Sequence, residues 1–527
     1  MAQLGKSLSR LGLALVLLAG PFTLADAQAA DKVIRMVPRG DLNILDPVWS
    51  TVAITRDYGY MVYDTLFSPD ENFKAQPEMV DKYSVSADGL TYSFTLRPGL
   101  KWHDGAPVTA ADCVASVLRW SKKNLIGQKM AEKVEKIEAT GDNSFVIKLK
   151  SKFDVPSALA EPSSSPAFMM PARIAATDAN TQIKETIGSG PFIFKKDEWV
   201  PGSKEVFVKN PDYIPRKEPA SFLAGGKVVK VDRVEWIHIP DANTILAALI
   251  SGEVDYYQNP SLDFLPTIEK NKQIKLLDLD KLGSQATLRL NHLHPPFNNV
   301  KARLAVLYAV NQQEYMQAVA GDAKYYWKDC FALFSCGGPY ASDVGAVKKP
   351  DLAKAKELLK ESGYKGEKVV VLDPTNVPVL HAAVTVTVNN LRKLGMNVEV
   401  QPMDVGTMIA RRAKKDAPDA GGWNVFHTQF QGTEQANPAG NAYLASPCDK
   451  APPGWPCDQT IEDLRNQFLA ETDPAKRKEI ALKLQQRAYE FVPYISVGQL
   501  RQPIAYRSNL KGVLQSGATV FWNIEKE

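Results

Sequence analysis

Residues 99–113, GLKWHDGAPVTAADC, gather His103, Asp104, Asp112 and Cys113 into fifteen positions. A histidine beside a carboxylate has the makings of a general acid–base pair, and a histidine with a cysteine those of a thiol nucleophile or a metal site. The same residues also read as structure. In "HDGAP", Asp104-Gly105 suits a positive φ and Pro107 sets the next corner, so the stretch is turn chemistry. Thr109 and Asp112 have the spacing of a capping box, with Thr109 as N-cap and a carboxylate in the first turn facing the helix dipole. Cys113 then falls inside a helix whose apolar residues continue at Val117 and Trp120. The structural reading is favoured, with a catalytic dyad as its rival.

Other enzyme signatures are missing. None of the six histidines lies in His-Glu-x-x-His, and "IGSGPF" has Ile187 where a nucleophile elbow needs glycine. No phosphate-binding Gly-x4-Gly-Lys-Ser/Thr occurs, so any ATP hydrolysis belongs to a separate partner. The net charge of +4, with no Lys/Arg cluster interleaved with aromatics, excludes a nucleic-acid partner.

The elements that would carry a site are mixed α and β. Alternation from Leu90 to Leu96 and at Phe145, Ile147 and Leu149 predicts half-buried strands. "DLAKAKELLKESGY" predicts a helix capped by Asp351, ended by Gly363, with Leu352, Ala355, Leu358 and Leu359 on one face. Residues 368–403 read as strand, helix, strand, although Val384–Val388 is β-branched. A late helix follows in "DPAKRKEIALKLQQRAYEF". At roughly 150 residues per domain, 527 residues allow about three domains or lobes.

The N-terminus has the three-part layout of a secretory signal: Lys6 and Arg10, an apolar run, then small residues, with cleavage expected near Ala29. Export makes disulfides permissible. Of five cysteines, Cys330 with Cys336 and Cys448 with Cys457 form two close pairs, leaving Cys113 over. Local disulfides are the simplest assignment; zinc is the alternative, at spacings longer than zinc knuckles use.

The segment Pro77–Trp120 resembles the signature region of the family 5 extracellular solute-binding proteins, which serve ABC transporters for dipeptides, oligopeptides, nickel complexes and some sugars. The resemblance continues in order through "GSGPFIFKKDEWVPGSKEVFVKNPDYIP", "NTILAALISGEVDY", "LNHLHPPFNNVKARLAVLYAVNQQEYM" and "DLAKAKELLKESGY". It implies an α/β, two-lobed periplasmic binding protein of the large peptide-binding type with a hinge between lobes. Lobe I would be discontinuous (30–69, 188–282 and 500–527), with an inserted subdomain at 70–187 and lobe II at 283–499. It further implies a non-enzymatic, monomeric receptor without cofactor or resident metal. Such a monomer would pass a peptide or peptide-like ligand to membrane permease subunits with separate ATPase subunits. An oligosaccharide, opine or chelated metal is the alternative ligand, and an exported hydrolase or chaperone the remoter reading.

By the same resemblance, Glu434 stands where peptide binders place the Asp that pairs with a ligand amine. Trp423 is expected as an aromatic cleft wall, with His427 and Gln429 alternating on one strand beside it. Arg411 of the Arg411-Arg412 pair is a candidate for a ligand carboxylate. Asn291 and His292 lie where the chain enters the second lobe; His292 and His294, two apart, also suit a metal. Trp49, Thr51 and Tyr58 fall where the first lobe reaches the cleft.

Overall fold

The structure, a computed structural model, describes residues 32–527. The expected signal peptide therefore lies outside the described residues. Among them, no helix is long and apolar enough to cross a membrane.

Three sheets organise the chain. A mixed seven-stranded sheet has Val33–Val37 near its centre, parallel to Arg233–Ile237 on one side and to Tyr256–Tyr257 on the other. Its remaining pairings are antiparallel, including that of Ile274–Asp278 with Pro503–Arg507 from late in the chain. A four-stranded antiparallel sheet is built from residues between Val80 and Leu149. Its strands Thr91–Leu96 and Ser144–Leu149 follow the alternation read from sequence: Tyr92, Phe94, Leu96, Phe145, Ile147 and Leu149 are all buried. Phe94 stacks on Phe145 with ring centroids 4.9 Å apart, an offset arrangement that adds to simple area burial.

The third sheet has five strands, in the order Asn397–Met403, Lys368–Pro374, Val425–Gln431, Ser284–Leu290 and Ile495–Leu500. Lys368–Pro374 and Asn397–Met403 pair in parallel through the helix Pro378–Lys393, so the strand–helix–strand reading holds. Val384, Thr387 and Val388 are buried on that helix. Packing against the sheet outweighs the modest helix penalty of β-branched residues. The helix Leu352–Glu361 is capped by Asp351, which accepts from Lys354 N at 2.9 Å; its Leu352 is exposed while Ala355, Leu358 and Leu359 are buried.

The chain passes from the seven-stranded to the five-stranded sheet through residues 279–283 and returns through residues 501–502. The two crossings lie side by side, with Ser284 Oγ donating to Gln502 Oε1 at 2.9 Å and Arg501 paired with Asp278 at 2.8 Å. Gly283 adopts φ +63° here, and a Cβ on it would meet the Trp327 ring at 2.8 Å. Cys330–Cys336 and Cys448–Cys457 are disulfides with Cα separations of 5.8 and 4.0 Å, and Cys113 is free and buried.

Candidate functional site

A cavity of about 560 Å³ lies between the sheets. Arg39, just beyond the strand Val33–Val37, and Thr51, ahead of the helix Ala53–Val62, form one wall. A second wall comes from the connections of the four-stranded sheet: Lys123 and Asn124 between its second and third strands in chain order, and Glu161 and Ser163–Ser165 after its last. The third wall is the end of the strand Val425–Gln431 with Glu434, Gln435, Tyr443 and Arg412. Both contributing strands, Val33–Val37 and Val425–Gln431, present their carboxyl ends, where open α/β sheets leave crevices for ligands.

The strand Val425–Gln431 shows why it can line a cavity. Its first three residues are buried and its last four are half-buried. His427 sits beneath the helix Pro378–Lys393, with Nε2 2.7 Å from Thr387 Oγ1. Gln429 lies on the same face two residues on, where the strand opens onto the cavity. On the other face Phe430 packs edge-on to Tyr443 at 4.7 Å, and both line the cavity.

The carboxylates of the site are already engaged. Glu434 Oε1 accepts from Arg56 Nη1 at 2.7 Å; Arg56 also donates to Asp57 and to Gly517 O. Burial raises the Glu434 carboxyl above its ordinary value, with the Arg56 charge opposing and the Asp280 carboxylate reinforcing. Glu161 Oε2 accepts from Asn437 Nδ2 at 2.6 Å, and burial pushes its carboxyl up to about 7. Among the described residues, Gln429 Nε2, Gln431 Oε1 and Gln435 Oε1 are buried without a hydrogen-bond partner, and all three residues line the cavity. Such groups are costly when unpaired, so an amide- or hydroxyl-bearing ligand has matching partners here.

Of the residues expected from sequence, Thr51, Gln429 and Glu434 line the cavity. The others do not. Tyr58 is fully buried among Tyr63, Phe194 and Phe207. Trp423 is fully buried, its Nε1 donating to Arg412 O at 3.0 Å. His427 is held under its helix, and burial lowers its pKa to about 3. Asn291 clips the sheet by donating from Nδ2 to Trp423 O at 2.8 Å. His292 packs on Phe491, and burial with the Arg303 and Arg289 charges drives its pKa well down. His294 turns elsewhere, to Lys415 O at 2.8 Å, so the two histidines do not converge on a metal. Arg411 braces a loop through Gly421 O and Gly422 O. Trp49 bonds Asn180 O at 3.0 Å, with Lys123 Nζ 5.9 Å from its ring.

The opening cluster is structural as well. His103 Nδ1 accepts from Gly188 N–H at 3.3 Å, and its Nε2 lies 3.1 Å from Gly190 O. That pair of bonds requires the neutral Nε2–H tautomer, in keeping with a pKa lowered by burial to about 4. Asp104 pairs with Arg173 at 3.2 Å, Asp112 closes the capping box, and burial raises the Cys113 thiol. Among the described residues, no group of three or more His, Cys, Asp or Glu side chains could hold a metal ion.

Sequence reasoning missed Arg39, Arg412, Glu161, Ser163–Ser165 and Tyr443. The run Ser163-Ser164-Ser165 between two prolines was a visible signal. Arg412 adjoins Arg411, but consecutive residues on a helix point about 100° apart, so the two side chains meet different surroundings.

A crevice between two sheets, crossed twice by the chain, defines the class of two-lobed periplasmic binding proteins. The chain belongs to the bacterial extracellular solute-binding proteins, family 5, whose model matches residues 74–450, and is thus a solute-binding protein of ABC importers. It is 39% identical to the "Probable peptide ABC transporter periplasmic-binding protein y4tO" of Sinorhizobium fredii, over 95% of this chain and 94% of that one. Glutathione-binding protein GsiB of Escherichia coli O1:K1 is 26% identical, over 97% of each chain. The structure of AgaA from A. tumefaciens R10, in complex with agropinic acid, superposes with a TM-score of 0.78 at 23% identity, covering 94% of this chain and 99% of that one.

Proposed function

We propose that this chain is an exported, periplasmic receptor that captures a small peptide or peptide-like solute in the cavity and passes it to the permease of an ABC importer. It acts as a monomer, catalyses nothing itself, and loses a signal peptide near Ala29. Its lobe I comprises residues 30–69, 188–282 and 500–527, the inserted subdomain 70–187, and lobe II 283–499. Membership of the seven-, four- and five-stranded sheets supports that division.

The observation that carries the reading is the cavity with its buried, unpartnered glutamine amides. A volume of about 560 Å³ lies within the range of roughly 300–1,000 Å³ typical of small-molecule sites, which favours a short peptide over a long one. The relative named as a peptide transporter protein supports the same class.

Thermal unfolding of the purified mature protein against dipeptides, tripeptides, opines, amino acids and sugars tests it. A true ligand at a hundred times its Kd stabilises by about 2.7 kcal/mol, and a short peptide or peptide-like solute is expected to do so. Stabilisation by sugars alone, or by nothing in the panel, sinks the proposal.

A further inference from the structure

We infer that the cavity anchors its ligand through carboxylates, held by Arg39 from one lobe and Arg412 from the other, and not through an amine at Glu434. This deepens the receptor reading and rests on it.

The case is an asymmetry between the two signs of charge. Both carboxylates that line the cavity have protein partners: Glu434 takes Arg56 at 2.7 Å and Glu161 takes Asn437 at 2.6 Å. An incoming ammonium would have to share Glu434 with a guanidinium already in place. The lining guanidiniums are the reverse. Among the described residues, neither the Arg39 nor the Arg412 side chain has a hydrogen-bond acceptor; the Asp57 and Glu434 carboxylates act on the Arg39 charge from beyond hydrogen-bond distance, and Arg412 stands 5.5 Å over the Phe426 ring. Arg411, by contrast, spends its donors on Gly421 and Gly422. Lys123 adds a further cation to the wall.

One further lining donor agrees in sign with the arginines. Gln429 Nε2 is a buried donor without an acceptor, and it lies on the strand end between the lobes. A ligand carboxylate would satisfy it and receive charge-assisted, forked bonds from a guanidinium, the stronger class of hydrogen bond. The acceptors Gln431 Oε1 and Gln435 Oε1 then suit ligand N–H or O–H groups. The ligand class is an acidic solute, best with two carboxylates, joined by amide, amine or hydroxyl-bearing atoms.

Isothermal titration with matched sets tests this: acidic dipeptides and N-carboxyalkyl amino acids, each as the free acid, the carboxamide and the N-acetyl derivative. Amidation should weaken binding by roughly 10- to 100-fold per carboxylate, the range for lost charge-assisted bonds, while N-acetylation changes it less than about threefold. Arg39→Gln and Arg412→Gln should each weaken the free acid about as much as one amidation and leave the carboxamide unaffected. Carboxamides binding as well as acids would overturn the inference, as would loss on N-acetylation with amides tolerated; either leaves the receptor reading standing. If no member of the sets, the wider peptide panel or the sugars binds, the receptor reading fails and takes this inference with it. The amidation series uses the unaltered protein, so it decides the matter even if a variant misfolds.

Discussion

His103 illustrates how a residue with catalytic chemistry becomes a fastener. One ring nitrogen accepts from Gly188 and the other serves Gly190, so the imidazole ties the Gly-Ser-Gly turn to the loop ahead of the helix Ala110–Trp120. The neighbouring glycines explain why the turn has this composition: a Cβ on Gly190 would meet Val62 C at 2.6 Å, with no side chain to yield. Replacing His103 by Ala leaves a backbone donor and a backbone acceptor short of partners. We expect a loss of about 1–2 kcal/mol in urea unfolding, with ligand Kd unchanged within twofold. A large change in Kd with unchanged stability would restore a functional role. The turn, the cap and the helix were legible here because each is a local rule about φ, donors and acceptors.

Among the elements, the helix Ala110–Trp120 tests how far local capping goes. Thr109 Oγ1 accepts from Asp112 N, while Asp112 Oδ2 accepts from Thr109 N at 2.8 Å. Asp112 reaches further: its Oδ1 takes Ala172 N at 2.7 Å and its Oδ2 lies 3.3 Å from Trp102 Nε1. Thr109→Ala should therefore cost about 1 kcal/mol, the usual value of a cap, and Asp112→Ala about 2–3 kcal/mol because four donors (Thr109 N and Oγ1, Ala172 N and Trp102 Nε1) lose one acceptor group. Equal effects in chemical denaturation would show that the tertiary bonds add nothing. Sequence pattern identified this helix and its cap but not the contact to Ala172, sixty residues away. The strand Val425–Gln431 shows the same divide. Alternation puts His427 and Gln429 on one face, yet only the position of the helix Pro378–Lys393 decides that the first is covered and the second is not.

At the scale of the whole molecule, polar contacts join residues far apart in sequence: Arg56 to Glu434, Glu161 to Asn437, and Arg477 to Asp154 at 3.0 Å. Glu161 makes this arrangement sensitive to pH. Its carboxyl is raised by burial to about 7 from an ordinary 4.5, with Asn437 and the Arg477 charge opposing and the Glu434 charge reinforcing. The folded form thus binds a proton more tightly than the unfolded chain, so its stabilising contribution is complete below about pH 4.5 and is lost as pH rises through about 7. Buried His103 and His427, with lowered values, contribute in the opposite sense as pH falls. Comparing the wild type with Glu161→Gln cancels those terms. The variant should lose less Tm than the wild type between about pH 5 and about pH 7.5, and parallel curves would remove Glu161 from the account. The sequence by itself determined what depends on neighbours along the chain: alternating strands, capped helices, close cysteine pairs, and a series of motifs specific enough to identify the family. Only the tertiary structure decided which polar residues face the cavity. Trp423 and Tyr58 went to the core, and Arg412 replaced Arg411. Glu434, well placed for an amine, was met by a guanidinium 378 residues away in sequence. Burial and pairing of that kind are set by distance in space, which no local pattern encodes.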